Sequence, residues 1–292
     1  MSTRKHPLRF LLVEVLRITV IVFILDWLIQ RRERRYHLKT RLIARLGSRV
    51  KIVALEAVDA LREHGWLSDG SLREANLAEA DLRGASLDGA DLQRVSLVGT
   101  NLKGAVLAWA DLRAANLTGA NLEGASLLLA NLEGAYLSEA NLAGAVLRGA
   151  TLRHARLRYA NLRGAGLPHA DLRGARLKVA YLRDADLHKA DLRGANFFRA
   201  DLTGADLRHA RLEGADLTGA ELANADLTDA HFDETTILPD GKPWTPDADL
   251  SRFTGPDHPE FWFYQRPADW ASVALEKQRD RLFSRYRAAD AA

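Results

Sequence analysis

The chain has 292 residues with 41 basic and 38 acidic side chains, so its formal net charge is only +3, and it contains no cysteine. A charge this close to neutral excludes a histone-like polycation, and an apolar content of 47% excludes wholesale disorder. The absence of cysteine excludes disulfides, thiolate nucleophiles and cysteine-ligated metal sites.

The first predicted element is an apolar run over residues 8–29. As a helix it would be about 33 Å long, which is enough to cross a bilayer core. Four charged residues count against a span: Arg9, Glu14, Arg17 and Asp26. The alternative is a buried or surface-lying amphipathic helix. The basic excess is larger after the run than before it. We therefore expect residues 1–35 to be a single-pass membrane anchor with a basic flank, followed by a cytoplasmic domain.

Residues 36–70 are predicted to form a helical N-terminal cap region. Gly47 and Ser48 mark a break in this helical segment, and Gly65 marks its end. We expect Trp66 and Leu67 to cover the open end of the domain that follows.

Residues 71–234 repeat with a period of five. From residue 72 to residue 232, 31 of the 33 positions spaced five apart are Leu, and 30 of the 32 positions two residues before these are Ala. The exceptions are Phe197, Phe232, Val95 and Thr100. A period of five fits neither the 3.6 residues of an α-helix turn nor the alternation of a flat strand.

Each five-residue unit is predicted to form one short side and one corner, with Ala and Leu inward and the residue between them outward. Gly fills 15 of the 32 corner positions, as a turn with positive φ favours. Four sides close a coil of about 20 residues, and stacked coils pair their backbones about 4.8 Å apart. The fold class is an all-β solenoid of about eight coils, on the order of 40 Å long.

Units such as Ala200-Asp201-Leu202-Thr203-Gly204 resemble the pentapeptide-repeat family. The resemblance implies a right-handed quadrilateral β-helix but no particular function, because this scaffold hosts many roles. The flanking segments 65–72 and 238–241 are also similar to those of a bacterial group of membrane-linked pentapeptide-repeat proteins of uncharacterised function. That similarity implies a bacterial cell membrane as the location.

Residues 235–292 are predicted to close the other end of the rod. A turn at 238–241 precedes Trp244, Phe253 and the aromatic cluster 261–264, which suit a lid over the last coil. The segment 269–287 is predicted to be an amphipathic helix.

One side of the rod has an apolar exterior, which we call the apolar patch. Its members are predicted to point outward: Val106, Trp109, Leu128, Leu129 and Val146. An exposed patch of this kind is typical of a contact surface, and the alternative is that a terminal helix of the chain covers it. Tyr136, Tyr159, Val179 and Phe198 are expected on a neighbouring side, where they would extend the patch.

The charge along the rod is uneven. Residues 148–199 hold 12 basic and 4 acidic side chains, and stacked arginines within this stretch form a candidate anion-binding surface, which we call the arginine band. Its members are Arg153, Arg156, Arg163, Arg173, Arg176, Arg183 and Arg193. The alternative is a solvated stack neutralised by nearby aspartates.

No motif in the sequence suggests a catalytic residue, a cofactor site or a metal site. His169, His188 and His209 align along the rod, but repeats align residues by construction. The sequence therefore predicts a non-enzymatic, membrane-anchored scaffold that binds an unknown protein, with a homodimer left open. Two alternatives are a DNA-mimic inhibitor of DNA topoisomerase and an anion or nucleic-acid binder acting through the arginine band. A rod whose net charge is −1 over residues 71–232 does not favour mimicry of DNA, and nucleic acid is not the favoured partner.

Overall fold

A computed structural model describes the backbone of residues 7–263 and, within that range, the side chains of residues 16, 17 and 19–263. The chain divides into two compact units, Met1–Ala44 and Arg45–Ala292. Three helices are present in the described residues: α1 (Pro7–Leu46), α2 (Lys51–Glu63) and the short α3 (Ser251–Thr254).

Helix α1 is a single helix of 40 residues and joins the apolar run to the first half of the predicted cap region. Among the helices that the structure describes, none combines the length and the apolarity that crossing a bilayer requires. Arg17 and Asp26 interrupt the apolar side chains, and basic residues begin at Arg31. The prediction that residues 8–29 form a transmembrane helix is therefore not supported.

Helix α2 caps the first coil of the rod. The helix ends as predicted at Gly65, whose φ is +69°. There the backbone N–H groups of Gly65 and Trp66 donate to the carbonyls of Arg62 and Leu61, which is the Schellman arrangement. Leu61 is fully buried, and Trp66 is 4% exposed. Backbone hydrogen bonds from the first coil reach the carbonyls of Ser48 and Leu67 on the cap, so Trp66 and Leu67 cover the open end as predicted.

The repeat region is a β-helix with a register of 20 residues. Parallel bridges join the residue between Ala and Leu in each unit, here called the bridging position, to the same position one coil later. Four ladders result: ladder I begins at Asn76, ladder II at Asp81, ladder III at Ser86 and ladder IV at Asp91. Each side pairs through a single bridge and not through an extended strand, because a corner interrupts the chain every five residues.

The corners explain the glycine pattern of the sequence. Every corner residue from Glu74 to Asp229 has a positive φ, and the Ala that follows donates to the carbonyl of the preceding Leu. A positive φ at the third residue of a four-residue turn is the type II pattern, for which glycine is the least strained choice. Non-glycine residues occupy the other corners, including Val179 at φ +57°.

The core contains the repeated Ala and Leu side chains, nearly all of which are fully buried. Phe197 fits into one Leu position with no exposure, and Thr100 satisfies its buried hydroxyl by donating to the carbonyl of Leu77 at 2.8 Å.

Three bridging residues of ladder II are shielded from solvent by their neighbours on the same ladder, which the period of five does not predict. Asn121, Asn141 and Asn161 are 1%, 5% and 8% exposed, and each donates its side-chain amide to the Asn one coil earlier. The amide ladder satisfies these side chains without water.

The C-terminal end is closed by the segment that follows the repeat. The backbone N–H of Gly241 donates to the carbonyl of Leu238 at 2.9 Å and closes the predicted turn. Trp244 stacks on Phe232 with ring centroids 5.9 Å apart. Asn224 in the last coil donates its backbone N–H to Thr254, and Phe253 is buried. These contacts agree with an aromatic lid over the last coil. The predicted helix over 269–287 lies outside the described residues.

Candidate interaction surfaces

The apolar patch lies on ladder III and on the corner next to it. Val106 and Val146 occupy bridging positions on either side of Ser126, with 38% and 46% exposure. Trp109 and Leu129 occupy corners one coil apart and are 62% and 52% exposed. Leu128 is half-buried between them. The structure therefore brings all five predicted residues to one surface over three successive coils.

Two residues of the apolar patch have an energetically unfavourable backbone conformation. Trp109 and Leu129 have φ values of +57° and +55°, a conformation that costs an L-residue on the order of 1–2 kcal/mol. The side chain of Leu129 lies across Gly149 in the next coil, where a Cβ atom would approach Leu129 Cδ2 to 2.7 Å. Glycine at 149 thus leaves room for Leu129. The positive φ itself is shared with every other corner of the rod, so it is the size and apolarity of Trp109 and Leu129 that distinguish these two corners.

The apolar patch is not extended by the four residues that were expected on a neighbouring side: Tyr136, Tyr159, Val179 and Phe198. Tyr136 is a bridging residue of ladder I, ten residues from Ser126 on ladder III. Because a coil has four sides of five residues, ten residues correspond to the opposite side. The expectation of a continuous apolar surface was wrong for this reason.

The arginine band separates into paired and unpaired members. Arg153 and Arg173 both contact the carboxylate of Asp171, at 2.6 and 2.7 Å, and Arg193 contacts Asp191 at 2.6 Å. Arg183 bonds to Asp201 at 2.8 Å. Arg156, Arg163 and Arg176 form no ion pair within the part of the chain that the structure describes.

The pairing changes the ionisation of the groups involved. Partial burial opposes ionisation of Asp191, but the hydrogen bonds and charge of Arg193 outweigh it and hold the pKa of that carboxyl below its usual 3.8. The side-chain hydrogen bond to Asp201 raises the pKa of Arg183 above its ordinary value. These contacts satisfy four of the seven arginines internally, as the solvated-stack alternative expects.

The three histidines lie side by side along the rod, as the sequence predicts. The rings of His169 and His188 meet edge to face at 6.2 Å, and those of His188 and His209 at 5.4 Å. Over residues 7–263 no group of three or more potential ligands is placed to hold a metal ion.

Sequence reasoning overlooked two basic residues beside the unpaired arginines, Arg158 and Lys178. Both are exposed and follow an arginine at the bridging position, in Arg156-Leu157-Arg158 and Arg176-Leu177-Lys178. The signal was present in the sequence, because most other units have Asp or Asn at that position.

Solved structures that resemble the chain are pentapeptide-repeat proteins. HetL, involved in heterocyst differentiation regulation in the cyanobacterium Nostoc sp. strain PCC 7120, is 39% identical over 58% of this chain and 78% of its own, with a TM-score of 0.42. The pentapeptide repeat protein alr5209 from Nostoc PCC 7120 is 38% identical over 35% of this chain and 84% of its own, with a TM-score of 0.31.

QnrB1, a plasmid-mediated fluoroquinolone resistance protein, is 20% identical over 55% of this chain and 81% of its own, with a TM-score of 0.33. No curated protein matches the chain. The family profile of pentapeptide repeats matches in eight copies, over residues 71–107, 90–127, 130–167, 167–197 and 195–233. These segments cover more than half of the sequence, so the chain belongs to the pentapeptide-repeat family.

Proposed function

We propose that this protein is a non-enzymatic scaffold that binds a partner protein through the apolar patch. The observation that supports the proposal most strongly is the 62% exposure of Trp109, which lies on the same surface as the exposed side chains of Leu129, Val106 and Val146. Large apolar side chains clustered on a monomer surface are typical of protein contacts, and tryptophan contributes strongly to binding energy.

The rigidity of the β-helix supports the same function. The patch residues lie on consecutive coils that are joined by backbone hydrogen bonds, including Trp109 N–H to Leu128 at 2.9 Å and Leu129 N–H to Arg148 at 3.0 Å. A surface fixed in this way loses little conformational entropy when a partner binds.

A DNA-mimic inhibitor of topoisomerase is not favoured by the charges. Such a rod would need to be strongly negative, whereas residues 71–232 carry a net charge of −1 with a basic middle section. Tight binding of the purified full chain to DNA gyrase would overturn this judgement.

The experiment for the patch is affinity capture with three versions of the full chain. These are the unchanged protein, a double variant with Trp109→Ser and Leu129→Ser, and the control Ile52→Ser. Ile52 is 62% exposed in α2, away from the patch. We expect one protein to be retained by the unchanged chain and the control but lost by the double variant. Equal capture by all three versions would contradict the proposal.

A further inference from the structure

Four cations form a compact group on the side of the rod that carries ladder I, and we call them the basic quartet: Arg156, Arg158, Arg176 and Lys178. All four are exposed, and none forms an ion pair with a carboxylate in the described part of the chain. Arg156 and Arg176 are joined by a parallel bridge and so lie directly opposite each other on neighbouring coils. Arg158 and Lys178 lie two residues further along the same two coils.

Folding does not account for this arrangement, because like charges directly opposite on paired strands are destabilising. In five other units of the rod, an aspartate at the bridging position neutralises the arginine of its own unit. The pairs lie 2.6–2.7 Å apart: Asp81 with Arg83, Asp111 with Arg113, Asp171 with Arg173, Asp191 with Arg193, and Asp206 with Arg208. In two successive coils an arginine replaces that aspartate, so the quartet has an unneutralised charge.

Aromatic rings hold three of these four cations in place. The guanidinium of Arg156 lies 4.6 Å from the ring centroid of Tyr136, and that of Arg158 lies 4.6 Å from the ring of Tyr159. Arg158 also donates to the Tyr159 hydroxyl at 2.9 Å. Lys178 lies 5.8 Å from the ring of Phe198. Such cation–π contacts fix the head groups and reduce the entropy lost when a ligand binds.

We propose that the basic quartet binds the phosphate head groups of an anionic lipid surface. Arginine and lysine clusters bind anionic membranes, and tyrosine prefers the boundary between lipid and water. A single-stranded nucleic acid is less well matched, since it needs open ring faces on which bases stack. Here a cation already lies over a face of Tyr136, Tyr159 and Phe198.

Helix α1 supports the same partner independently of how the two units are placed. Phe23 is 71% exposed and Trp27 is half exposed, within a run of exposed apolar residues that ends at Ile29. Arg31 follows, with its guanidinium 5.1 Å from the Trp27 ring. Exposed apolar side chains beside basic ones are typical of helices that lie in the membrane interface, and lasting attachment generally needs two such signals.

The proposal goes beyond the protein-binding function and gives it an orientation. Ladder I and ladder III form opposite sides of a four-sided coil. A rod attached to lipid through the basic quartet on ladder I would present the apolar patch on ladder III away from the lipid.

The test places a fluorophore on each of the two sides. The chain has no cysteine, so Ser138→Cys on the ladder I side and Ser126→Cys on the ladder III side each provide one labelling site in the full chain. The labelled proteins are mixed with vesicles of phosphatidylcholine and phosphatidylglycerol, or of phosphatidylcholine alone. We expect only the label at 138 to become shielded from an aqueous quencher, and only with the anionic vesicles. Shielding of both labels, of neither, or of 126 alone would overturn the proposal.

A second measurement separates the quartet from α1 and from general charge effects. Two double variants of the full chain are compared. The first pair of substitutions is Arg156→Gln with Arg176→Gln. The second pair, Arg148→Gln with Arg163→Gln, removes the same charge from exposed arginines on other sides of the rod. We expect the first pair to weaken binding to anionic vesicles about tenfold or more and the second pair to change it little. Equal binding by both variants, or equal loss in both, would refute the assignment. Binding to polyuridylate but not to vesicles, lost only in the first pair, would reassign the quartet to nucleic acid.

Discussion

Asn161 donates a hydrogen bond from its side-chain amide to the side-chain carbonyl of Asn141, 2.8 Å away in the preceding coil. Asn141 in turn donates to Asn121 at 3.2 Å, and all three side chains are buried. The ladder is therefore satisfied only while each member is present.

Asn141→Ala is expected to destabilise the protein by about 1–3 kcal/mol, because it leaves the buried side-chain amide of Asn161 without its acceptor. The side-chain carbonyl of Asn121 loses one of its two donors and still accepts from the backbone N–H of Glu123 at 3.1 Å. The measurement is urea unfolding followed by circular dichroism. The control is Asn131→Ala on ladder IV, where the side chain is only half-buried and accepts a hydrogen bond from Glu133 at 3.1 Å. We expect it to cost less than about 1 kcal/mol. An equal loss in both variants would show that the amide ladder contributes nothing special.

Two glycines two residues apart test the role of the corners. Gly164 has a φ of +61° and open space around the position of a Cβ atom, so Gly164→Val is expected to cost about 1–2 kcal/mol through the backbone alone. Gly166 occupies a bridging position, where a Cβ would make an ordinary 3.9 Å contact with Pro168. Gly166→Val is expected to be neutral or stabilising in thermal unfolding. If the two valines have the same effect, positive φ does not govern these positions.

The ion pair of Asp206 with Arg208 predicts a pH dependence of stability. The hydrogen bond from Arg208 holds the pKa of the Asp206 carboxyl below its usual 3.8. A carboxyl whose pKa is lower in the folded state stabilises the fold above its unfolded pKa, and this contribution is lost as the pH falls through the folded value. Asp206→Asn should therefore be less stable than the unchanged protein near neutral pH, and the difference should shrink as the pH falls below about 4.

Urea unfolding at several pH values measures that difference. Asp229→Asn is the control, since it removes the same charge from a side chain that is 67% exposed, lies 3.7 Å from His209 and contacts no arginine among the residues that the structure describes. A difference between Asp206→Asn and the unchanged protein that stays constant over this pH range would argue against the ion pair as the cause.

The shared carboxylate of Asp171 predicts a gain of function. Asp171→Asn leaves Arg153 without its carboxylate and leaves Arg173 only a 3.6 Å contact with Asp191. We expect this variant to elute from heparin at higher salt than the unchanged protein, because its arginines become free to bind sulfates. Asp229→Asn changes the net charge equally and is expected to elute with little shift. Identical shifts in the two variants would mean that net charge, not pairing, sets anion binding.

The sequence predicted the solenoid because its inward positions repeat with few exceptions, and those exceptions are accommodated locally, as by Phe197. The apolar patch was predictable for the same reason, since the period of five places Trp109 and Leu129 at successive corners of one edge. The same arithmetic, applied in steps of ten, would have placed Tyr136 on the opposite side.

Other features depended on details that a period does not contain. Arg153 reaches an aspartate 18 residues later, whereas Arg173 reaches the one two residues earlier, so the sequence could not show which arginines were neutralised. The burial of Asn121 follows from the amides stacked beside it. The apolar run before Arg31 has the length of a membrane span, but among the described residues no helix is both long and apolar enough to cross a bilayer.

The most direct test of the account is photo-cross-linking in cells from a single position on the rod. Trp109 is replaced by benzoyl-phenylalanine in the full chain, and Tyr159, a corner residue with a φ of +60° on the side of ladder I, is replaced in the control. We predict a covalent adduct with one defined protein from position 109 and none with that protein from position 159. The absence of an adduct at 109, or the same adduct at both positions, would contradict the claim that the apolar patch is the protein-binding surface.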